Sequence, residues 1–155
     1  LPWTGIWTPG DTVDNIGYKP KQPIDFSHKL HAGEMDIPCQ YCHSGARRSE
    51  ASGVPAVNHC MGCHKIVGLD KPEIKKIHKA YQSKKPIEWT KVHDLPDFVR
   101  FTHKRHAQSG VDCVTCHGDV KQMGVAEQVA PLSMAWCVEC HQEKKVSTDC
   151  STCHY

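Results

Sequence analysis

All ten cysteines of the chain stand in Cys-x-x-Cys-His pentads. The five copies are Cys39-Gln-Tyr-Cys42-His43, Cys60-Met-Gly-Cys63-His64, Cys113-Val-Thr-Cys116-His117, Cys137-Val-Glu-Cys140-His141 and Cys150-Ser-Thr-Cys153-His154. Two thiols three residues apart can add to the two vinyl groups of one porphyrin, and a histidine directly after them is placed to bind the iron from one face. Random order at this cysteine and histidine content would give on the order of 0.05 such pentads. The ten cysteines therefore read as anchors for five covalently attached haem c groups. His43, His64, His117, His141 and His154 read as the proximal iron ligands. Zinc ribbons, disulfide frameworks and thioredoxin-like pairs have no use for a histidine fixed after each second cysteine. Iron–sulfur clusters want three or four cysteines apiece.

Seven further histidines remain: His28, His31, His59, His78, His93, His103 and His106. Four of them form two His-x-x-His units, in Phe26-Ser-His-Lys-Leu-His31 and Phe101-Thr-His-Lys-Arg-His106. Residues three apart share one helix face. One iron already held by a motif histidine cannot take both members, so each unit must reach two different haems. His28, His31, His103 and His106 are accordingly expected as distal ligands. For the fifth distal position His93 is favoured, with Met134 and Met123 as rivals, since thioether ligation is common in cytochromes and raises the potential. His59 adjoins the anchored Cys60, and His78 is expected at the surface.

The elements that position these ligands must be small. The chain has 155 residues for five haems, with 39% hydrophobic and 7% aromatic residues. That is thin for a conventional core, so the porphyrins should supply much of the buried apolar surface. The expected fold is mostly α and irregular, with short helices and long loops wrapped around the haems and little or no sheet. Residues 1–24 carry four prolines, three glycines, Trp3 and Trp7 and read as an extended arm lying against the body or a partner. The two Phe-x-His-x-x-His segments, each followed by two pentads at a displacement of about 75 residues, mark an internal duplication. Residues 25–88 then form a two-haem module and residues 89–155 a three-haem module, within one continuous haem-packed domain. A linking helix is expected between them, capped by Asp70, with Pro72 in its first turn and Glu73 completing a capping box. Ile74, Ile77 and Tyr81 would form its apolar stripe, and Pro86 would limit its end.

The formal charge of +2 is no argument for nucleic acid. Ten haem propionates could add about −10, leaving the loaded protein near −3 when oxidised and −8 when reduced. Covalent haem attachment takes place outside the cytoplasm, which points to the periplasm. The chain begins at Leu1, so an upstream segment is expected to have been removed or to lie outside it; no run of 18 apolar residues occurs within it.

The segments Phe-x-His-x-x-His before Cys-x-x-Cys-His resemble the class III multihaem cytochromes c. That resemblance implies that His28 pairs with His43 and His103 with His117, while His31 and His106 each reach a later haem. The stretch from Lys91 to His106 (Lys-Val-His-Asp-Leu-Pro-Asp-Phe-Val-Arg-Phe-Thr-His-Lys-Arg-His), the Cys116-His-Gly118 step and Leu132-Ser-Met-Ala-Trp-Cys137 resemble something narrower. They are similar to the pentahaem subunit of alternative complex III, a bacterial quinol:electron-acceptor oxidoreductase. The likeness covers residues 24–155. It departs in the N-terminal membrane helix of that family, which these residues lack. It implies a membrane-bound quinol-oxidising complex on the periplasmic side of the bacterial inner membrane. Electrons would arrive from an iron–sulfur subunit and leave to a monohaem cytochrome, a soluble carrier or an oxidase. The chain itself would be no enzyme and would hold no quinone pocket. A soluble periplasmic multihaem carrier, or the cytochrome partner of a molybdenum-type reductase, is the main alternative. A haem enzyme would need an iron with an open axial position, and the surplus of histidines argues against one.

Overall fold

The computed structural model describes residues 15–155. In chain order they form a π-helical turn at Lys29–Glu34, then α1 (Cys39–Cys42), α2 (Val57–His64), α3 (Pro72–Ser83), α4 (His103–Gln108) and α5 (Cys113–His117). A 3-10 turn at Val120–Gln122, α6 (Met134–Glu143) and α7 (Cys150–Cys153) follow. Among the described residues β structure is limited to an isolated antiparallel bridge between Val99 and His154. The molecule is thus helical and irregular, as its composition implied. No helix among these residues is long and apolar enough to cross a membrane.

Trp3, Trp7 and the rest of residues 1–14 lie outside the described residues, and with them most of the expected arm. Its last part packs on the body. Gly17 donates to the Gln128 carbonyl at 2.7 Å, Gln128 donates to Tyr18 at 3.0 Å, and Ile24 is buried. The Gln22 amide also brackets Thr90, accepting from its N–H and donating to its carbonyl, each at 2.9 Å.

The linking helix α3 forms, but not with the expected cap. Lys71 holds the cap position and makes no side-chain bond there. Glu73 is drawn away from a capping box, because its carboxylate accepts from the Asp25 N–H at 2.9 Å and from Lys76 at 2.9 Å. The backbone donor of Asp25, directly after the arm, outcompetes the local cap. Lys84 closes the helix in the left-handed region at φ 54°, and Pro86 follows. Ile74 and Ile77 are buried with Ile24 and Met61, flanked by Val57, Cys60, Ile87 and Trp89. Tyr81, expected in that stripe, is exposed. This small cluster sits against α2, and apolar burial among protein side chains is modest elsewhere.

Each His-x-x-His segment is seated by backbone from a distant part of the chain. His103 and Lys104, opening α4, donate to the carbonyls of Glu50 at 2.9 Å and Ser49 at 3.0 Å. In the reverse direction Lys29, opening the π-helical turn, donates to the Met123 carbonyl at 2.9 Å. The π turn lies so close on the 3-10 turn that a Cβ at Gly33 would collide with the Lys121 carbonyl oxygen, and Lys121 pairs with Asp36 at 2.7 Å.

Candidate haem-binding sites

The five motifs are numbered here in chain order as sites 1 to 5. All five Cys-x-x-Cys pairs lie on helical turns: α1 carries site 1, α2 site 2, α5 site 3, α6 site 4 and α7 site 5. Two thiols three apart on such a turn share a face, the arrangement two thioethers to one porphyrin require. All ten thiols are free, so no disulfide competes for them.

Four histidine pairs face one another. The ring centres of His28 and His43 are 6.4 Å apart and those of His103 and His117 6.4 Å. His31 and His64 are separated by 6.1 Å, and His106 and His141 by 6.1 Å. Two metal–imidazole bonds of about 2.0 Å, plus about 1.1 Å from each bonding nitrogen to its ring centre, set two rings on one iron about 6.2 Å apart. The observed spacings bracket that value, so the residues fit a haem iron between each pair. The pairs differ in twist. The planes are nearly parallel at sites 1 and 3, at 12° and 8°. They are inclined by 66° at site 2 and 46° at site 4.

The other ring nitrogen explains why these rings stay in place. Nδ1–H donates to a backbone carbonyl in His31 (Ser27, 2.8 Å), His43 (Gly53, 2.6 Å), His64 (Val67, 3.0 Å) and His103 (Glu50, 2.8 Å). It does so too in His106 (Thr102, 2.9 Å), His141 (Ser147, 2.7 Å) and His154 (Phe98, 3.3 Å). A carbonyl can only accept, so the proton sits on Nδ1 and the Nε2 lone pair is left for a metal. Burial, aided by neighbouring imidazoles, lowers the pKa of His28 to about 4 and that of His117 to about 4. Both are neutral at physiological pH, the form that binds iron.

One aromatic residue serves each His-x-x-His pair. Phe26 stacks on His31 at 4.4 Å and meets His28 edge-on at 4.9 Å; Phe101 does the same to His106 at 4.6 Å and His103 at 4.9 Å. The repeated phenylalanine is visible in the sequence, but its wedge role is not. Nor is the local helix type. His103 and His106 lie on α-helix α4, whereas His28 caps the π-helical turn that carries His31.

The remaining histidines sort differently. His93 lies against His117, ring centres 4.5 Å apart and planes at 83°, too close to span an iron with it. Burial lowers its pKa, and its Nε2 is buried without a partner. The ring neighbour of His154 is Phe98 at 5.9 Å. Met134 is 70% exposed and Met123 half-buried. His59, beside Tyr41 at 4.6 Å, also has a buried, unpartnered Nε2. His78, expected at the surface, is half-buried and donates through Nε2 to the His64 carbonyl at 2.7 Å.

The sites do not follow one another in chain order. The Cys42 thiol neighbours Cys60, and the Cys39 thiol contacts Cys113. Cys116 neighbours Cys137 and Cys140, and Cys137 neighbours Cys153. In space the anchors run as sites 2, 1, 3, 4 and 5.

Comparison with known proteins agrees with this chemistry. Residues 99–155 match the family described as cytochrome c7 and related cytochrome c, and residues 9–94 match the class III cytochrome C family. The chain is 28% identical over 163 residues to the menaquinone reductase multiheme cytochrome c subunit of Nitratidesulfovibrio vulgaris, covering 86% of this chain and 77% of that protein. It is 27% identical over 128 residues to the 26 kDa cytochrome c3 of Desulfomicrobium norvegicum, covering 81% of this chain and 83% of that protein. With paired imidazoles at iron-spanning distance and anchoring thiols on every motif turn, the chain is a multihaem c-type electron carrier and belongs to the class III cytochrome c family.

Proposed function

We propose that the chain is a pentahaem electron-transfer subunit of a membrane quinol-oxidising respiratory complex, on the periplasmic side of the bacterial inner membrane. It takes electrons from an iron–sulfur subunit and passes them to a monohaem cytochrome, a soluble carrier or an oxidase. The observation that carries the electron-wire reading is the set of four histidine pairs spaced 6.1–6.4 Å apart. With haem bound they would hold both axial positions of four irons and leave no place there for a substrate. The likeness to a menaquinone reductase subunit supports a quinone-linked complex. The likeness to alternative complex III noted from the motifs supports quinol oxidation as the direction, whereas the relative's name carries the reverse one, quinone reduction.

In this reading the cysteines named above hold five haems, and bound haem supplies one-electron ferric–ferrous chemistry. His28, His31, His103 and His106 are the distal ligands of sites 1, 2, 3 and 4. His93, whose unpartnered Nε2 is the nitrogen a ligand would use, is the candidate for the remaining position at site 5, and would have to turn from His117 toward His154 when that haem is bound. The chain's own work is positioning. Nδ1–H donation to carbonyls makes the seven imidazoles that donate more basic, which favours the ferric state and lowers the potential; His28, whose Nδ1 is buried without a partner, lacks that push. The phenylalanine wedges keep two distal rings at fixed angles. The shared His-x-x-His turns hold sites 1 and 2, and sites 3 and 4, within one helical turn of each other. A second reading, a free-standing multihaem carrier, is supported by the likeness to a cytochrome c3.

Purification from native membranes in mild detergent tests the proposal. A pyridine haemochrome assay normalised to protein should give five haems per chain, and an iron–sulfur subunit should co-purify. Fewer than five covalent haems removes the pentahaem reading. Five haems in a chain that elutes alone from the soluble fraction moves the assignment to the free carrier.

A further inference from the structure

The loop formed by residues 44–53 follows directly on the site 1 motif, yet it supports ligands of two sites. The Gly53 carbonyl accepts from Nδ1 of His43 at 2.6 Å. Three residues earlier, the Glu50 carbonyl accepts from Nδ1 of His103 at 2.8 Å and from the His103 N–H at 2.9 Å. One of these imidazoles belongs to site 1 and the other to site 3. Helix α4 grips the loop twice more, through the Lys104 N–H on the Ser49 carbonyl and the Gln108 amide on the Arg47 carbonyl, each at 3.0 Å. Sites 1 and 3 are also neighbours in space, since the Cys39 thiol contacts Cys113. The other imidazole of site 1, His28, has a buried Nδ1 without a partner. Among the described residues, site 1 therefore depends on the Gly53 carbonyl alone for this kind of bond.

The loop is braced against itself. The Gly45 N–H donates to the Ser52 carbonyl at 3.1 Å, and the N–H groups of Arg48 and Ser49 return to the Gly45 carbonyl, each at 2.9 Å. Ser49 Oγ lies 2.6 Å from the Ala51 carbonyl oxygen and 3.1 Å from that of Gly45. Its one proton serves the nearer acceptor, Ala51, which stands between the two carbonyls that hold the imidazoles. At Gly45 the two sides of the loop cross. A Cβ there would fall 2.6 Å from the Ala51 oxygen and 2.7 Å from the Ser52 oxygen. Main-chain atoms cannot step aside singly, so a side chain at this position displaces the segment bearing Glu50 and Gly53. A carbonyl on Nδ1–H sets the orientation and basicity of a metal-binding imidazole, so that displacement reaches both rings.

We infer that the loop 44–53 is one shared support for sites 1 and 3, with Gly45 and Ser49 as its positioning residues, so that the two neighbouring sites are tuned together and the difference in potential between them is held. A disturbance of the loop weakens both Nδ1–H bonds at once, makes both imidazoles less basic and favours the ferrous state at both irons. The part common to the two sites cancels in the driving force for electron transfer between them. This deepens the electron-carrier reading above and rests on it.

The test is a redox titration of the haem-loaded protein followed by low-temperature electron paramagnetic resonance. The near-parallel rings of sites 1 and 3 give rhombic low-spin signals, whereas the inclined rings of sites 2 and 4 give strongly anisotropic ones. His28→Ala and His103→Ala each remove one rhombic signal and so assign the two. Gly45→Ala should raise the ferrous-to-ferric ratio at fixed potential by about threefold or more at both sites 1 and 3, below the tenfold that outright loss of an outer-shell partner costs. At 59 mV per decade that is a rise of about 28 mV. The gap between the two midpoints should change by less than either shift, and sites 2 and 4 should keep their midpoints. Ser49→Ala should move the same two signals by a smaller amount, because water can replace an exposed hydroxyl, and it stands in if Gly45→Ala fails to mature. Ser49→Thr, which keeps the hydroxyl, should match the wild type. Ser83→Ala, which removes a serine-to-carbonyl bond of the same kind at the end of α3, should move no signal. A shift at only one of sites 1 and 3, an equal shift at all four sites, or no shift in either loop variant overturns the shared support. A haem count below five in the wild type would instead break the underlying pentahaem reading.

Discussion

Replacement of His31 by alanine isolates one distal ligand without touching any thioether. The structure gives the size of the effect. His31 faces His64 at 6.1 Å and no other proximal histidine, so one haem in five should lose its sixth ligand and about a fifth of the low-spin signal should convert to high spin. The twist between rings says which fifth. Nearly parallel imidazole planes split the iron d orbitals and give a rhombic low-spin resonance, whereas steeply inclined planes leave two orbitals close in energy and give a strongly anisotropic one. Site 2 is inclined by 66°, so His31→Ala should remove a strongly anisotropic signal. His28→Ala, at a site inclined by 12°, should remove a rhombic one. The folding cost should be small. The variant forfeits the Phe26 stack, about 1 kcal/mol, and the bond to the Ser27 carbonyl, about 1 kcal/mol. Low-temperature electron paramagnetic resonance on the oxidised protein, with mass measurement to confirm five intact thioether-bound haems, reads both quantities. Loss of the rhombic signal in His31→Ala, or no new high-spin iron at all, would refute the pairing of His31 with His64.

Two further substitutions test other parts of the geometry. Gly118→Ala should destabilise the loaded protein by about 2–4 kcal/mol, because φ 67° and ψ −167° form a conformation open essentially to glycine alone. A Cβ there would also fall 2.6 Å from Val129 Cγ2, an overpacking cost; thermal unfolding followed at the Soret band measures the sum, and an unchanged transition would count against it. For site 5, His93→Met should raise the midpoint potential of one haem while keeping it low-spin, and Met134→Leu should leave the spectrum unchanged. A near-infrared methionine–iron band in the wild type that vanishes in Met134→Leu would give the site to Met134 instead.

The chemistry of the candidate sites is legible in the sequence because covalent attachment writes itself as a fixed local pattern. Each Cys-x-x-Cys-His pentad carries its own geometry on one helical turn, and the paired distal histidines are equally local. The low aromatic and aliphatic content, likewise, announces a fold without a sheet or a large protein core. What escapes the sequence is long-range. The capping box at Asp70–Glu73 satisfies every local rule, yet Glu73 turns to the Asp25 N–H, 48 residues away. His78 looks like a solvent residue on an amphipathic helix until α3 packs on α2 and brings it to the His64 carbonyl. The spatial order of the sites is set by contacts such as Cys39 with Cys113, which no spacing within either half encodes. The π-helical turn arises where backbone from the other half, at Lys121 and Met123, presses on Lys29 and Gly33.

That reciprocal seating has a consequence for biogenesis. The turn carrying His28 and His31 is completed by Met123, and the turn carrying His103 and His106 by Glu50. A chain emerges from the ribosome N-terminus first, so the first pair of distal imidazoles is made long before the segment that seats it. If His28 and His31 close sites 1 and 2, as proposed, both sites would stay incomplete until residues near 123 arrive. The halves of this duplication are hostages to each other: cut at the connecting segment, neither should mature into a low-spin cytochrome, although each carries its own anchors and its own distal histidines.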